Sequence, residues 1–277
     1  MPPVLSFIGC GHLGRTLGRL WSDAGVFRIG DVLTRSPGSA AAAVAFMGSG
    51  RAVADAGELQ AADVFVIATA DDRIAEACGI LAARRLVRPG TVVFHCSGAQ
   101  SSAVLSGATA AGAAVASAHP IRSFADPDAV VRKFAGTWCG MEGDAAALAL
   151  LEPAFAAIGG RTVRIEASAK TLYHAAAVFA GNYTTTLLAI ARDAYAATGI
   201  APDDALRLLE PLVRENIDNV FRIGPAAALA GPVARGDMAT VARQQQAVSD
   251  WNAECGELYR QLVAHTQALA AQRNKST

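Results

Sequence analysis

Residues 4–14 read VLSFIGCGHLG, and this stretch decides the fold of the first half of the chain. An apolar run of this length and composition has the character of a buried strand. It passes straight into Gly9-Cys10-Gly11-His12-Leu13-Gly14, a GxGxxG, and Leu13 to Ala24 then carries a helical pattern. Strand, glycine motif and helix in that order are what a dinucleotide turn needs. One glycine makes a tight turn, one lets the backbone approach a pyrophosphate, and one packs helix on strand, with the phosphates at the helix N-terminus. Gly9, Cys10, Gly11, His12, Leu13 and Gly14 are the expected cofactor-binding loop; a glycine turn that binds nothing is the competing reading.

The adenosine ribose of a dinucleotide is read about 20 residues beyond the last glycine. Here that place holds Thr34, Arg35 and Ser36, after a second strand over Asp31 to Arg35. A guanidinium between two hydroxyls suits a ribose 2′-phosphate, so NADP is expected rather than NAD. Two alternatives stand beside this: Asp31 as the ribose acid, although it begins its strand far from the phosphates, and Arg35 as a solvated loop charge.

Further along, apolar runs alternate with Ala-rich helical stretches. Strands are expected over Asp63–Thr69, Thr91–Cys96, Val115–Ala118, Thr137–Met141 and Thr162–Ile165, and helices over Ala40–Met47, Ile74–Leu86 and Ala145–Ile158. Such alternation implies an α/β domain with a doubly wound parallel sheet of Rossmann type, its ligands at the carboxyl ends of the strands. Thr69 and Ala70 form a small-residue turn at one such end, suited to a cofactor ribose. Asp71 and Asp72 are placed to cap the helix that follows. Ser97, Gly98 and His119 lie at two other strand ends and are candidate substrate-binding residues; His119 reads equally well as an acid or base or as a histidine bonded to backbone.

After about Glu166 the pattern is helical only: Ser168–Thr198, Pro202–Phe221 with Pro211 expected to kink it, and Asp237–Gln272 with Asp237 as N-cap. Two domains are therefore expected, a dinucleotide-binding one over residues 1–165 and an all-helical substrate or dimerisation domain over 166–277. At about 100° per residue, Lys170, Tyr173, His174, Ala177 and Gly181 share one stripe of the first of these helices. Lys170 and His174 are the candidate catalytic pair, and Asn182 lies toward the edge of the same face. The small residues admit either a ligand or a neighbouring helix of a homodimer, and the sequence leaves both open.

Composition bounds the partners. The chain of 277 residues has 24 Lys+Arg against 24 Asp+Glu, with a pI near 7.0, which gives no basic field for nucleic acid or anionic lipid. Hydrophobic residues make up 52% and aromatics 6%, so the chain can bury a core and much of its apolar content is Ala. No apolar run has the length of a membrane span, and the first residues lack the basic region of a secretory signal. Five widely spaced cysteines without a CxxC indicate neither a disulfide framework nor a zinc site. A cytoplasmic, metal-free protein acting on a small molecule is the expectation.

FIGCGHLG, VFHCSGA, AHPIRSF, KTLYHAAAVFAGNY and GPVARGD together resemble a bacterial family with a Rossmann-like NADP-binding domain and a C-terminal helical domain of unknown function. More distantly the layout is similar to β-hydroxyacid dehydrogenases and pyrroline-5-carboxylate reductases. The resemblance implies an oxidoreductase scaffold in which polar groups of a long helix face the nicotinamide and helical domains pair. Lys170 sits roughly where a hydroxyacid dehydrogenase places its lysine, but His174 replaces the Asn that follows it there. The expected function is NADP-dependent hydride transfer to or from a carbonyl or imine carbon of a small metabolite. The alternative is a non-catalytic NADP(H)-binding protein whose helical dimer responds to the nucleotide.

Overall fold

The chain falls into two compact units, Met1–Phe179 and Ala180–Thr277, and the computed structural model describes residues 1–273. In the first unit β1 (Val4–Ile8), β2 (Arg28–Leu33), β3 (Arg51–Val53), β4 (Val64–Ile67), β5 (Val92–His95), β6 (Ala114–Pro120), β7 (Trp138–Gly143) and β8 (Arg161–Arg164) form one sheet. Their order is β3-β2-β1-β4-β5-β6-β7-β8. Helices α1 (His12–Asp23), α2 (Pro37–Met47), α3 (Ile74–Ala83), α4 (Ser106–Ala110), α5 (Pro127–Lys133) and α6 (Ala145–Ala157) connect the strands, and α7 (Lys170–Val178) ends the unit.

Strand side chains alternate between two faces, and each face feeds its own core. Leu5, Phe7, Val64, Val66 and Phe94 pack with Trp21 and Phe155; Ile8, Phe65, Ile67 and Val93 pack with Ile74 and Leu81. Covering both faces is what makes runs such as VFVI apolar throughout. Trp21 of α1 meets Phe27, Phe94 and Phe155 edge to face and donates its indole N–H to the Ala154 carbonyl at 2.9 Å. Because β1 lies between β2 and β4, the winding reverses there, and a crevice opens at the carboxyl ends of β1 and β4.

The doubly wound α/β domain is as expected, but the sheet is not parallel throughout. β6 and β7 pair antiparallel, with Ala118 opposite Met141 and Pro120 opposite Cys139, and β8 then runs parallel to β7. α5, in the connector between β6 and β7, rises about 10 Å, and β7 starts from the edge at which β6 ends. β3, with three residues, is too short to register as a strand in the sequence.

The unit boundary also comes later than the change of pattern near residue 166. Lys170, only 1% exposed, ties α7 to the sheet, so the first helix of the expected helical domain belongs to the first unit.

The second unit is helical only: α8 (Thr184–Ala197), α9 (Pro202–Ile223), α10 (Pro225–Ala228), α11 (Pro232–Arg235), α12 (Met238–Trp251) and α13 (Ala253–Arg273). α8 packs on α9, and α12 on α13. Two runs expected to be single are divided. The first is interrupted by a π-helical turn, Phe179–Tyr183. The last breaks at Asn252, whose side chain accepts the Cys255 N–H at 2.9 Å and caps α13. α9 continues as one helix through Pro211, and Asp237 caps α12 by accepting the Thr240 N–H. Among the described residues of this unit only Ala205, Leu209, Val241 and Gly256 are buried. None of the helices in the described residues is long and apolar enough to cross a membrane.

Candidate active site

The glycine loop joins β1 to α1, and its three glycines do three different things. Gly9 has φ +77°, and a Cβ there would lie 2.7 Å from Thr69 Cγ2 and 2.8 Å from the Thr69 nitrogen; no other residue fits that turn. A Cβ on Gly14 would crowd Ala68 Cβ and Cys10 Sγ at 3.3 Å, so this position sets how closely α1 packs on the sheet. On Gly11 a Cβ would meet nothing within 4 Å. Gly11 is also the N-cap of α1 with no side chain bonded to the helix start, and leading backbone N–H groups of a helix favour an anion. A dinucleotide pyrophosphate fits this arrangement. Cys10 is buried, which pushes its thiol up to about 12, and His12 Nδ1 lies 3.0 Å from the Phe124 carbonyl.

At the end of β2 the three candidate ribose residues divide by function. Ser36 caps α2, accepting the Ser39 N–H at 3.3 Å, and Thr34 donates its hydroxyl to the Ser36 carbonyl at 2.8 Å. Arg35 is exposed, and no ion pair holds it among the described residues. Asp31 is buried and accepts from Arg51 Nε at 2.8 Å and from the Gln60 N–H at 2.7 Å. Its carboxylate is thus occupied in tying β2 to β3.

From Thr69 a continuous set of contacts runs along the carboxyl edge of the sheet. Thr69 abuts Gly9. Two residues on, Asp71 Oδ2 accepts the Ser97 hydroxyl at 2.8 Å, so Asp71 spans two strand ends instead of capping α3. Ser97 Oγ also accepts the Ala99 and Gln100 N–H groups at 3.1 and 3.0 Å. Beneath the same loop, His95 Nδ1 accepts the Ser97 N–H at 3.1 Å. Its Nε2 must then carry the proton that bonds the Ser101 carbonyl at 3.2 Å. Burial holds His95 down to about 4, so the ring is neutral and fixed in that tautomer.

Lys170 lies below this loop. Its Nζ donates to the Ser97 carbonyl at 2.7 Å and to Ser117 Oγ, and burial lowers it to about 8, opposed by the charge of nearby Glu142. Glu142 is itself buried and accepts from the Ser102 N–H and hydroxyl at 2.7 and 2.8 Å. The ammonium therefore supports the Ser97–Gly98 backbone from within the sheet unit.

Gly98 brings two imidazoles together. A Cβ on it would overlap His174 Nδ1 and lie 2.9 Å from His119 Nε2. The rings of His119 and His174 stand edge to face, with centroids 5.5 Å apart. His174 Nδ1 is buried, and among the described residues nothing hydrogen-bonds it. His119 turns its other nitrogen, Nδ1, to the Tyr173 hydroxyl at 3.2 Å. Burial, with the charges of Lys170 and His174, pushes His119 down to about 4. The Tyr173 phenol, half-buried, is pushed up to about 12.

The sheet edge thus brings together Thr69, Ser97, Gly98, His119, Lys170 and His174 from the candidate set. Ala70 is exposed beside Thr69, and Asn182 lies in the π-helical turn of the second unit. Asp71, Ser117, Glu142 and Gly140 complete the network and were not candidates. Their hydrogen bonds cross between strands, and no local spacing announces them. Tyr173 was on the Lys170 stripe, but its partner is set by the position of β6.

Residues 4–120 match the Rossmann-like domain family, and residues 137–266 match the domain of unknown function DUF2520. The second match begins at β7, so it includes the reversed strands and α7. Protein TM1727 from Thermotoga maritima is 25% identical, with a TM-score of 0.77 over 98% of this chain and 99% of its own. BF3122 from Bacteroides fragilis, provisionally an NADP oxidoreductase, is 20% identical, with a TM-score of 0.79 over 96% of this chain and 98% of its own. An imine reductase from Streptomyces aurantiacus shares the fold at 20% identity, with a TM-score of 0.65 over 98% of this chain and 95% of its own. No curated protein matches the sequence significantly. The chain joins a Rossmann-like domain to a helical DUF2520 region, in a fold shared with reductases of these kinds.

Proposed function

We propose that this protein is an NADP(H)-dependent oxidoreductase that acts on a carbonyl or imine carbon of a small metabolite. The observation that carries the reading is the unbroken path from the glycine loop to the paired histidines: Gly9 on Thr69, Asp71 on Ser97, and Gly98 under His119 and His174. A loop that fits a pyrophosphate and a pair of half-buried imidazoles stand on one sheet edge. The likeness in fold to proteins described as reductases agrees with it.

When bound, the nicotinamide supplies or receives the hydride. Gly9, Gly11 and Gly14 with the start of α1 would hold the pyrophosphate; Arg35 would take the ribose 2′-phosphate, with Thr34 and Ser36 shaping its loop; Thr69 and Ala70 would contact a cofactor ribose. Lys170, through the Ser97 carbonyl, fixes the height of Gly98, so the substrate meets His119 and His174 at a set distance from the strand ends. His174 Nδ1 offers a bonding position that the rest of the described chain leaves unfilled.

The helical unit supports a homodimer. Leu206, Ile217 and Val220 fall on one stripe of α9 with Phe221 beside it, and all four are exposed, Phe221 at 87%. A helical unit with four buried residues among those described does not bury enough apolar surface to be stable by itself, and a second copy of the chain supplies the missing face.

Titration with NADPH and NADH, followed by cofactor fluorescence and thermal shift, tests the reading. NADPH should bind at least 10-fold more tightly than NADH, and Arg35→Ala should remove most of that preference; no binding of either at millimolar concentration would sink the proposal. Phe221→Asp should shift the mass measured by light scattering from dimer toward monomer without changing NADPH affinity.

A further inference from the structure

We infer that His119 is the catalytic proton donor, that Tyr173 positions and recharges it, and that the site is therefore built for a neutral carbonyl in preference to an imine. This rests on the hydride-transfer reading above and names the substrate class of the same site.

The orientation of the dyad follows from what surrounds the phenol. The Gly140 backbone lies against the Tyr173 oxygen, so closely that a Cβ on Gly140 would overlap it, and this backbone contact favours the charged phenolate. Of the two groups the phenol O–H is the stronger donor and the neutral imidazole nitrogen the stronger acceptor, so the phenol hydrogen is directed to His119 Nδ1, 3.2 Å away. The His119 ring is neutral, since burial and the neighbouring positive charges hold it down. With Nδ1 accepting, the proton sits on Nε2, the nitrogen turned to Gly98. A neutral donor thus faces the substrate position, backed by a phenol.

As hydride reaches the carbonyl carbon, the C=O π pair becomes an oxygen lone pair, and that oxygen takes the Nε2 proton. Nδ1 takes the phenol proton in the same movement, leaving phenolate against the Gly140 backbone. The phenolate then recovers its proton from Nδ1 and Nε2 is reprotonated from solvent, so each turnover consumes one hydride and one solvent proton. A phenol near 12 is acidic enough to neutralise an alkoxide but would remain protonated through a step that needs no proton.

The electrostatics select in the same direction. The buried Lys170 ammonium acts on His119 through space, strongly enough to disfavour its protonation; its hydrogen-bond partners, the Ser97 carbonyl and Ser117 Oγ, are neutral. Negative charge growing on a carbonyl oxygen is stabilised there. A protonated imine arrives positive, offers a donor to a donor, and meets the same repulsion. Asp71 opposes the effect in part, but its carboxylate is engaged by Ser97.

Two measurements on the full-length protein test this. In ¹⁵N-histidine NMR, His119 should show a protonated Nε2 and a bare Nδ1 at pH 7, and Tyr173→Phe should alter that Nδ1 shift while NADPH affinity stays unchanged. A protonated Nδ1 in the wild type would overturn the inference with the hydride-transfer reading intact. Kinetically, NADPH oxidation should be seen with a panel of aldehydes and 2-oxo acids and be at least 10-fold slower with five- and six-membered cyclic imines. The proton inventory in mixed H₂O and D₂O should be curved in the wild type and linear in Tyr173→Phe, whose kcat falls about 10- to 100-fold. A preference for imines, or curvature that survives in Tyr173→Phe, would refute the dyad. Failure of NADPH to bind would refute the function beneath it, and binding without turnover of either panel would count against both.

Discussion

The two units of this chain are built on opposite terms. The sheet unit encloses a core on each face and seals even its polar groups: His95, Ser117, Glu142 and Lys170 are all buried and hydrogen-bonded. The helical unit leaves large apolar side chains of α9 in the open and carries its charges on the surface. In the first, specificity comes from contacts within the chain. In the second, large apolar side chains are left without such contacts within the described chain.

The comparison breaks most visibly in the core of the sheet unit. Trp21→Ala removes three edge-to-face aromatic contacts and leaves the Ala154 carbonyl unpaired. It should cost about 3–5 kcal/mol in urea unfolding, enough to leave part of the population unfolded at 25 °C. A loss below about 1 kcal/mol would mean that this face tolerates a cavity and is not the rigid floor on which the glycine loop stands.

Lys170 tests the sealing of charge. In an unfolded chain it titrates at 10.5 and in the fold at about 8, so between these values the unfolded chain holds a proton that the fold has released. Stability contributed by this site therefore rises with pH through that window, and below pH 8 the cost of burying the ammonium is borne in full. Relative to Lys170→Met, the wild type should gain up to about 3 kcal/mol from pH 8 to 10.5. A flat difference would show that water reaches the ammonium.

His95 gives the mirror case at low pH. It is fully buried and titrates at about 4 in the fold against 6.5 when unfolded. Its contribution is complete above pH 6.5 and is lost as pH falls toward 4, because the unfolded chain then binds a proton that the fold refuses. His119 loses stability over the same range, so His95→Gln should remove only part of the acid slope, at most about 3 kcal/mol. An unchanged acid midpoint would place the acid-sensitive step elsewhere.

What the sequence reveals of this design depends on range. The strand, glycine motif and α1 are legible because they are contiguous, as is Arg35 between its two hydroxyl residues. The Lys170, Tyr173 and His174 stripe is legible as a stripe, since helical period alone places it. Its partners are not: Lys170 reaches Ser97 and Ser117 across 73 and 53 residues, and Tyr173 reaches His119 across 54. Those meetings depend on β6 neighbouring β5 and on the reversal at β7. The reversal itself carries no periodic signal, since a strand reads the same in either direction. The position of Lys170 on its helix is legible, but its burial against the Ser97 carbonyl and Ser117 Oγ is not.

Glu257 sharpens the contrast between the units with the smallest expected effect. Hydrogen bonds from Arg260 and Gln261 hold it down to about 2 from 4.5, a displacement as large as that of Lys170 but on an exposed helix surface. By sign, whatever it contributes is present above pH 4.5 and lost as pH falls toward 2. Water and salt screen a pair of this kind, and side-chain freedom is surrendered to form it. Glu257→Gln should therefore leave the Tm at pH 7 unchanged within error, with no added sensitivity to 0.5 M salt, whereas Lys170→Met changes the pH dependence at any salt concentration. A clear fall in Tm for Glu257→Gln would mean that this face of α13 is desolvated in solution, and the proposed pairing surface of the helical unit would then extend from α9 onto α13.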